Sequence, residues 1–159
     1  MQEDGFASSH LPAEQAHNRT ESQRIRFQLL TERVRQQDVP RDLELTDDSF
    51  VAEVLDVKDR LVVFDFWSED CVPCRFLHEA VLRLQDDMKS VKFARMNVTR
   101  NPRTVKAFEL KAIPHLVAVL NGEVALEIIG NRTVEELRAL IAPLVAMNAG
   151  SNGNGSNGH

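Results

Sequence analysis

The chain has 159 residues, 43% of them hydrophobic and 27% charged, with a formal net charge of −5 and a pI near 5.5. That length fits one domain with extra terminal segments, and the apolar share is enough to build a core. An acidic balance without a Lys/Arg-rich block or interleaved aromatic residues argues against nucleic acid as a partner.

The opening MQEDGFASSHLPAEQ is acidic and has no continuous apolar stretch, so it does not read as an export signal. No apolar run approaches the ~18 residues that a membrane span needs. A cytoplasmic location and the absence of a membrane partner are therefore expected. Residues 1–19 are polar and aperiodic and are expected to be flexible. From Thr20 a helix is predicted: Thr20 and Gln23 fit a capping box, and Ile25, Leu29, Leu30 and Val34 make one apolar stripe that ends near Pro40. Such a stripe usually docks on its own domain, and a partner or dimer contact is the alternative.

LEL (43–45) predicts a short strand, and a helix is expected around 47–56, with Phe50, Val51, Val54 and Leu55 apolar. LVVFDFW (61–67) is almost unbroken apolar sequence, as expected of a central strand covered on both faces. Leu77, Ala80, Val81, Leu84 and Met88 recur at helical spacing after Pro73. VKFARMNV (91–98) predicts a strand and 102–109 a short helix. Residues 115–120 and 123–129 flank Asn121-Gly122, a strong hairpin signal. Thr133 and Glu136 cap a last helix carrying Val134, Leu137, Ile141, Leu144 and Val145. This order predicts an α/β sandwich with a mixed sheet. The closing AGSNGNGSNGH (149–159) holds four of the seven glycines and cannot pack a core.

The only cysteines, Cys71 and Cys74, flank Val72 and Pro73. In a reducing compartment a lone CxxC is catalytic or metal-binding rather than a structural staple, and so small a loop barely constrains the unfolded chain. If Cys71 caps the helix after the 61–67 strand, Pro73 falls in the first turn, where its missing N–H is harmless. The Cys74 N–H then points back at the Cys71 sulfur. The helix N-terminus adds a field that favours negative charge, so both effects favour thiolate at Cys71 below the usual ~8.5. Cys74 lies one turn inside, placed to close a disulfide. Asp65 interrupts an apolar strand on the face it shares with Val63 and Trp67, so its carboxyl is expected to be buried, and either paired or held protonated. There it can take the proton from the resolving thiol. Arg95 shares the corresponding face of its own strand and either reaches toward Asp65 or lies along the surface. Ile113-Pro114 opens the 115–120 strand, and spacing alone does not choose between a cis and a trans bond.

VVFDFWSEDCVPCRF followed by NVTRNPRTVKAFELKAIPHLVAVLNGEVALEIIG resembles thioredoxin, over about Leu43 to Leu144. The resemblance implies a thioredoxin fold, a central mixed β-sheet flanked by helices, here with an N-terminal helical extension at residues 20–42. The family-like domain would span 43–147, and 148–159 would be a disordered tail. It also implies protein-disulfide reductase activity by dithiol–disulfide exchange. Cys71 would be the nucleophile, Cys74 the resolving thiol and Asp65 the buried acid. Trp67, Val72, Pro73, Ile113, a cis-Pro114 and Gly130 would face the substrate. No bound cofactor is implied beyond the reversible Cys71–Cys74 disulfide. The implied partners are disulfide-containing target proteins and a thioredoxin-reductase-like electron donor.

Several positions depart from the family pattern. CVPC replaces the usual CGPC, and this dipeptide tunes a redox poise that ranges from about −270 to −120 mV among such proteins. Asp70 stands where a tryptophan is common, His115 replaces a threonine, Arg95 a lysine and Glu79 a helix-kinking proline. Asp70, Arg95 and His115 are thus candidate modulators. A metal site built on Cys71, Cys74, His78 and His115 is disfavoured, because a structural site wants four ligands and there is no second CxxC; His78 and His115 are expected instead as surface residues near the dithiol. A thioredoxin-fold binding or chaperone module, in which partner docking rather than redox turnover is the role, is the alternative function.

Overall fold

The computed structural model describes residues 20–37 and 40–152. The chain divides into two units, one ending at Asp38 and one beginning at Val39. Residues 1–19, expected to be flexible, lie outside the described residues. In the first unit, helix α1 (Glu21–Gln37) starts where the capping signal predicts. The Thr20 N–H donates to the Gln23 side-chain oxygen at 3.2 Å, satisfying a donor that the helix start leaves free.

The second unit is built on five strands: β1 (Leu43–Leu45), β2 (Leu61–Trp67), β3 (Lys92–Asn97), β4 (His115–Leu120) and β5 (Glu123–Ile129). Their order across the sheet is β1-β3-β2-β4-β5. β1 and β2 run parallel to β3, whereas β4 runs antiparallel to β2 and to β5. The sheet is therefore mixed, with β2 at its centre. Residues 61–66 are all buried, which explains why this strand reads as continuous apolar sequence rather than as an alternation.

Helices α2 (Val72–Asp87) and α4 (Val134–Asn152) cover one face, and α3 (Pro102–Ala107) and a π-helical segment at Val51–Leu55 cover the other. The first face gathers Leu61, Val63 and Phe93 from strands against Leu77, Val81 and Leu84 of α2 and Leu137 and Ile141 of α4. The second gathers Phe64 and Phe66 with Phe50 and Phe108, whose rings meet edge to face at centroid distances of 5.3–5.8 Å.

The helix expected over 47–56 shortens to Val51–Leu55, because Asp47 has another task. Its carboxylate accepts from the N–H groups of Arg103 and Thr104 and from the Thr104 hydroxyl, capping α3 from a distant part of the chain. α3 ends at Ala107 with Phe108 as its C-cap, still in helical geometry with its N–H on the Thr104 carbonyl, because Glu109 turns to φ 49°. Asn121 and Gly122 both have positive φ (51° and 82°), the backbone that a two-residue hairpin turn demands. In α4 the reciprocal capping box forms, Thr133 N–H to Glu136 at 2.8 Å and Glu136 N–H to Thr133 at 3.2 Å. This helix continues through Asn152, past the expected start of a tail at 148. The Asn148 side-chain amide donates to the Asp59 carbonyl at 3.0 Å and ties the extra turn to the domain. The remainder of the tail lies outside the described residues.

Candidate functional site

Cys71 is the N-cap of α2, in extended backbone geometry (φ −90°, ψ 99°), and its sulfur accepts the Cys74 N–H at 3.2 Å. Pro73 occupies the first turn, where the helix has no use for its N–H. Cys71 and Cys74 are joined in a disulfide, with Cα atoms 5.3 Å apart. That separation lies within the range disulfides adopt without backbone movement. Cys71 is partly accessible while Cys74 is 1% exposed, so the two sulfurs present an outer and an inner member to solvent. Val72, 56% exposed, and Pro73 stand outward beside them, and Asp70 is exposed just before the helix.

Ile113-Pro114 is cis. The Pro114 carbonyl accepts the Gly130 N–H at 2.9 Å, which brings the start of β4 and the end of β5 together. Gly130 has φ 88°, so its backbone, not a lack of space, selects glycine: a Cβ there would meet only the Arg132 guanidinium, at 3.8 Å. His115, expected near the surface beside the dithiol, is instead buried on the face with Phe66, against whose ring it packs at 5.9 Å. It reaches that face because strand side chains alternate, and Asp65 points to the opposite one. Its Nε2 lies 3.3 Å from the Glu127 carboxylate.

Asp65 is 1% exposed, and neither carboxylate oxygen has a hydrogen-bond partner. Burial pushes its pKa up to about 7, with the nearby Arg95 charge opposing that rise and the Glu44 charge adding to it. A narrow cavity of about 10 Å³, close to the volume of one water site, touches Asp65 together with Asp42, His78, Gln85 and Arg95. His78, half-buried on α2, sets its Nε2 3.0 Å from Asp42, and burial lowers its pKa with Arg95 adding to that effect.

Of the two expectations for Asp65, the unpaired one holds. Asp65 and Arg95 are register neighbours on adjacent strands. The Arg95 guanidinium, however, lies 3.9 Å from the centre of the Trp67 ring, and its Nε is 4.0 Å from the Glu44 carboxylate. Trp67 in turn donates its Nε1–H to Glu44 at 3.0 Å. Glu44 carried no functional reading from sequence: in a three-residue strand, alternation says nothing of which neighbour its side chain meets.

Among the described residues no group of three or more His, Cys, Asp or Glu side chains is arranged to hold a metal ion. His78 and His115 face different sides of the sheet, and the two sulfurs are bonded to each other. No helix among the described residues is long and apolar enough to cross a membrane.

A family model described as thioredoxin matches residues 42–143. The chain is 36% identical over 99 residues to a thioredoxin of Listeria monocytogenes, covering 62% of this chain and 93% of that protein. It is 39% identical over 80 residues to a thioredoxin of Rickettsia bellii, covering 50% of this chain and 75% of that one. With a thioredoxin of Chlorobaculum thiosulfatiphilum it shares 33% identity over 88 residues, covering 55% and 81%.

Proposed function

The chain belongs to the thioredoxin family, a thiol–disulfide oxidoreductase acting through its Cys-x-x-Cys pair, and from that premise we propose that it reduces disulfides in target proteins in the cytoplasm. The observation that carries this reading is the Cys71 sulfur at the helix N-cap, hydrogen-bonded by the Cys74 N–H and within bonding reach of Cys74. A sulfur so placed is stabilised as thiolate by one directed donor and by the helix field.

The reaction then has two displacements. A target segment docks beside Ile113-Pro114, Gly130, Trp67, Val72 and Pro73. Cys71 thiolate attacks one sulfur of the target disulfide, forming the mixed disulfide and releasing the other target sulfur as thiolate. Asp65 takes the proton of the Cys74 thiol. A pKa near 7 suits this role, because the carboxyl can both accept and return a proton at neutral pH. Cys74 thiolate attacks the Cys71 sulfur, and the second target thiolate leaves. The target gains two electrons, and the pair ends as the Cys71–Cys74 disulfide. A thioredoxin-reductase-like donor returns the dithiol form. Asp70, exposed next to Cys71, would oppose thiolate formation and shape partner choice.

The test is a protein-disulfide reduction assay driven by dithiothreitol. The unmodified chain should accelerate reduction, Cys71→Ser should fall to background, and Cys74→Ser should trap covalent target complexes. Target binding that persists without any reduction by the unmodified chain would reject the reading.

A further inference from the structure

Arg95 has two carboxylates within its neighbourhood and keeps company with only one. Its register partner on β2 is Asp65, buried and without a hydrogen bond. Its register partner on β1 is Glu44, whose side chain is 42% exposed. A carboxylate that retains water costs less to ionise than one fully buried, so a single cation between them is drawn to the wetter one. The Trp67 ring reinforces this choice, because a guanidinium 3.9 Å from the ring centre gains cation–π attraction.

Glu44 holds that arrangement together. One of its oxygens accepts from Trp67 Nε1 at 3.0 Å and from the Asn97 N–H at 3.1 Å, which fixes the carboxylate and the indole. Its other oxygen faces Arg95 Nε at 4.0 Å. We propose that Glu44 is a positioning residue for the dithiol site: by anchoring Trp67 and drawing the Arg95 guanidinium onto the indole face, it keeps that cation from pairing directly with Asp65. The proposal rests on the dithiol-exchange reading for its consequence, since a buried carboxyl that feels a cation nearby but is not paired with it stays protonated up to neutral pH and is ready to exchange protons there. The other titratable groups facing Asp65 are Asp42, ahead of β1, and His78 on α2, whose Nε2 lies 3.0 Å from the Asp42 carboxylate.

Trp67 is the only tryptophan, so its emission reports this site alone. The experiment follows that emission against pH in the full oxidised chain and assigns the midpoint to Asp65 by its loss in Asp65→Asn. Glu44→Gln keeps an acceptor for Trp67 and Asn97 but removes the charge that draws Arg95. Its midpoint should fall by about one pH unit, a tenfold loss of proton affinity, as a freed cation approaches Asp65. Arg95→Met should raise the midpoint, and adding Glu44→Gln to it should lower it by clearly less than Glu44→Gln does in the parent, because only the direct charge of Glu44 is then removed. An unchanged midpoint in Glu44→Gln, or an equal fall with Arg95 absent, would overturn the proposal; the latter would mean that Glu44 acts only by its own charge. The pH profile of target reduction should move with the emission midpoint. If the unmodified chain reduces nothing, the dithiol-exchange reading fails, while the emission titration still decides the role of Glu44.

Discussion

Replacing Asp65 by Asn should stabilise the oxidised protein strongly above neutral pH and hardly at all in acid. The folded carboxyl has a pKa of about 7, against 3.8 for the same group in solvent. Between those values the unfolded chain has released this proton and the folded chain has kept it, so the folded state binds more protons and stability falls as pH rises. The difference is about 3 units at 1.36 kcal/mol each, an accumulated penalty of about 4 kcal/mol, in full above pH 7 and absent below pH 4. With Asp65 only 1% exposed, no solvent discount applies. Asn is nearly isosteric with the protonated acid and never ionises. The advantage of Asp65→Asn should therefore grow from near zero at pH 4 to about 4 kcal/mol at pH 8, a large share of a typical domain stability. Urea unfolding followed by circular dichroism at pH 4, 6 and 8, with the disulfide intact, measures it. An advantage that does not vary with pH, or a variant less stable than its parent at pH 8, would refute the reasoning.

Gly130→Ala should cost about 1–2 kcal/mol in urea unfolding, because the backbone at φ 88° penalises a Cβ although the surrounding space admits one. Leu77→Ala, which empties a fully buried site beneath α2, should cost about 2–5 kcal/mol and shift the midpoint without changing the slope. His78→Gln should act in acid: its imidazole has a lowered pKa in the fold, so the parent loses stability as pH drops below the unfolded value. The variant should flatten that part of the curve between pH 7 and 5, as urea midpoints will show.

The strands and their succession along the chain were legible because their chemistry is local. A central strand buried on both faces shows as LVVFDFW, and an Asn-Gly pair fixes a hairpin. The N-cap placement of Cys71 follows from the position of Pro73 and is met by the hydrogen bond from Cys74. Contacts made across register were not legible. Arg95 chooses Glu44 and Trp67 over Asp65 because β1 pairs outside β3, which no two-residue period reveals. His115 was misplaced for a related reason: its face follows from pairing opposite Phe66, not from its nearness in sequence to Pro114. The Asp47 cap, which shortens the expected helix, joins segments that no local window contains.

That cap has a kinetic corollary. Because one carboxylate seals the start of α3 from the turn after β1, and Asn101 accepts the Asp47 N–H in return at 2.8 Å, neither segment can detach without breaking the other's bonds. Edge strand and short helix should breathe as one cooperative block. In amide hydrogen exchange, the protection of Thr104 should rise and fall with that of Leu45, while β2 and β4 stay locked until the whole molecule opens.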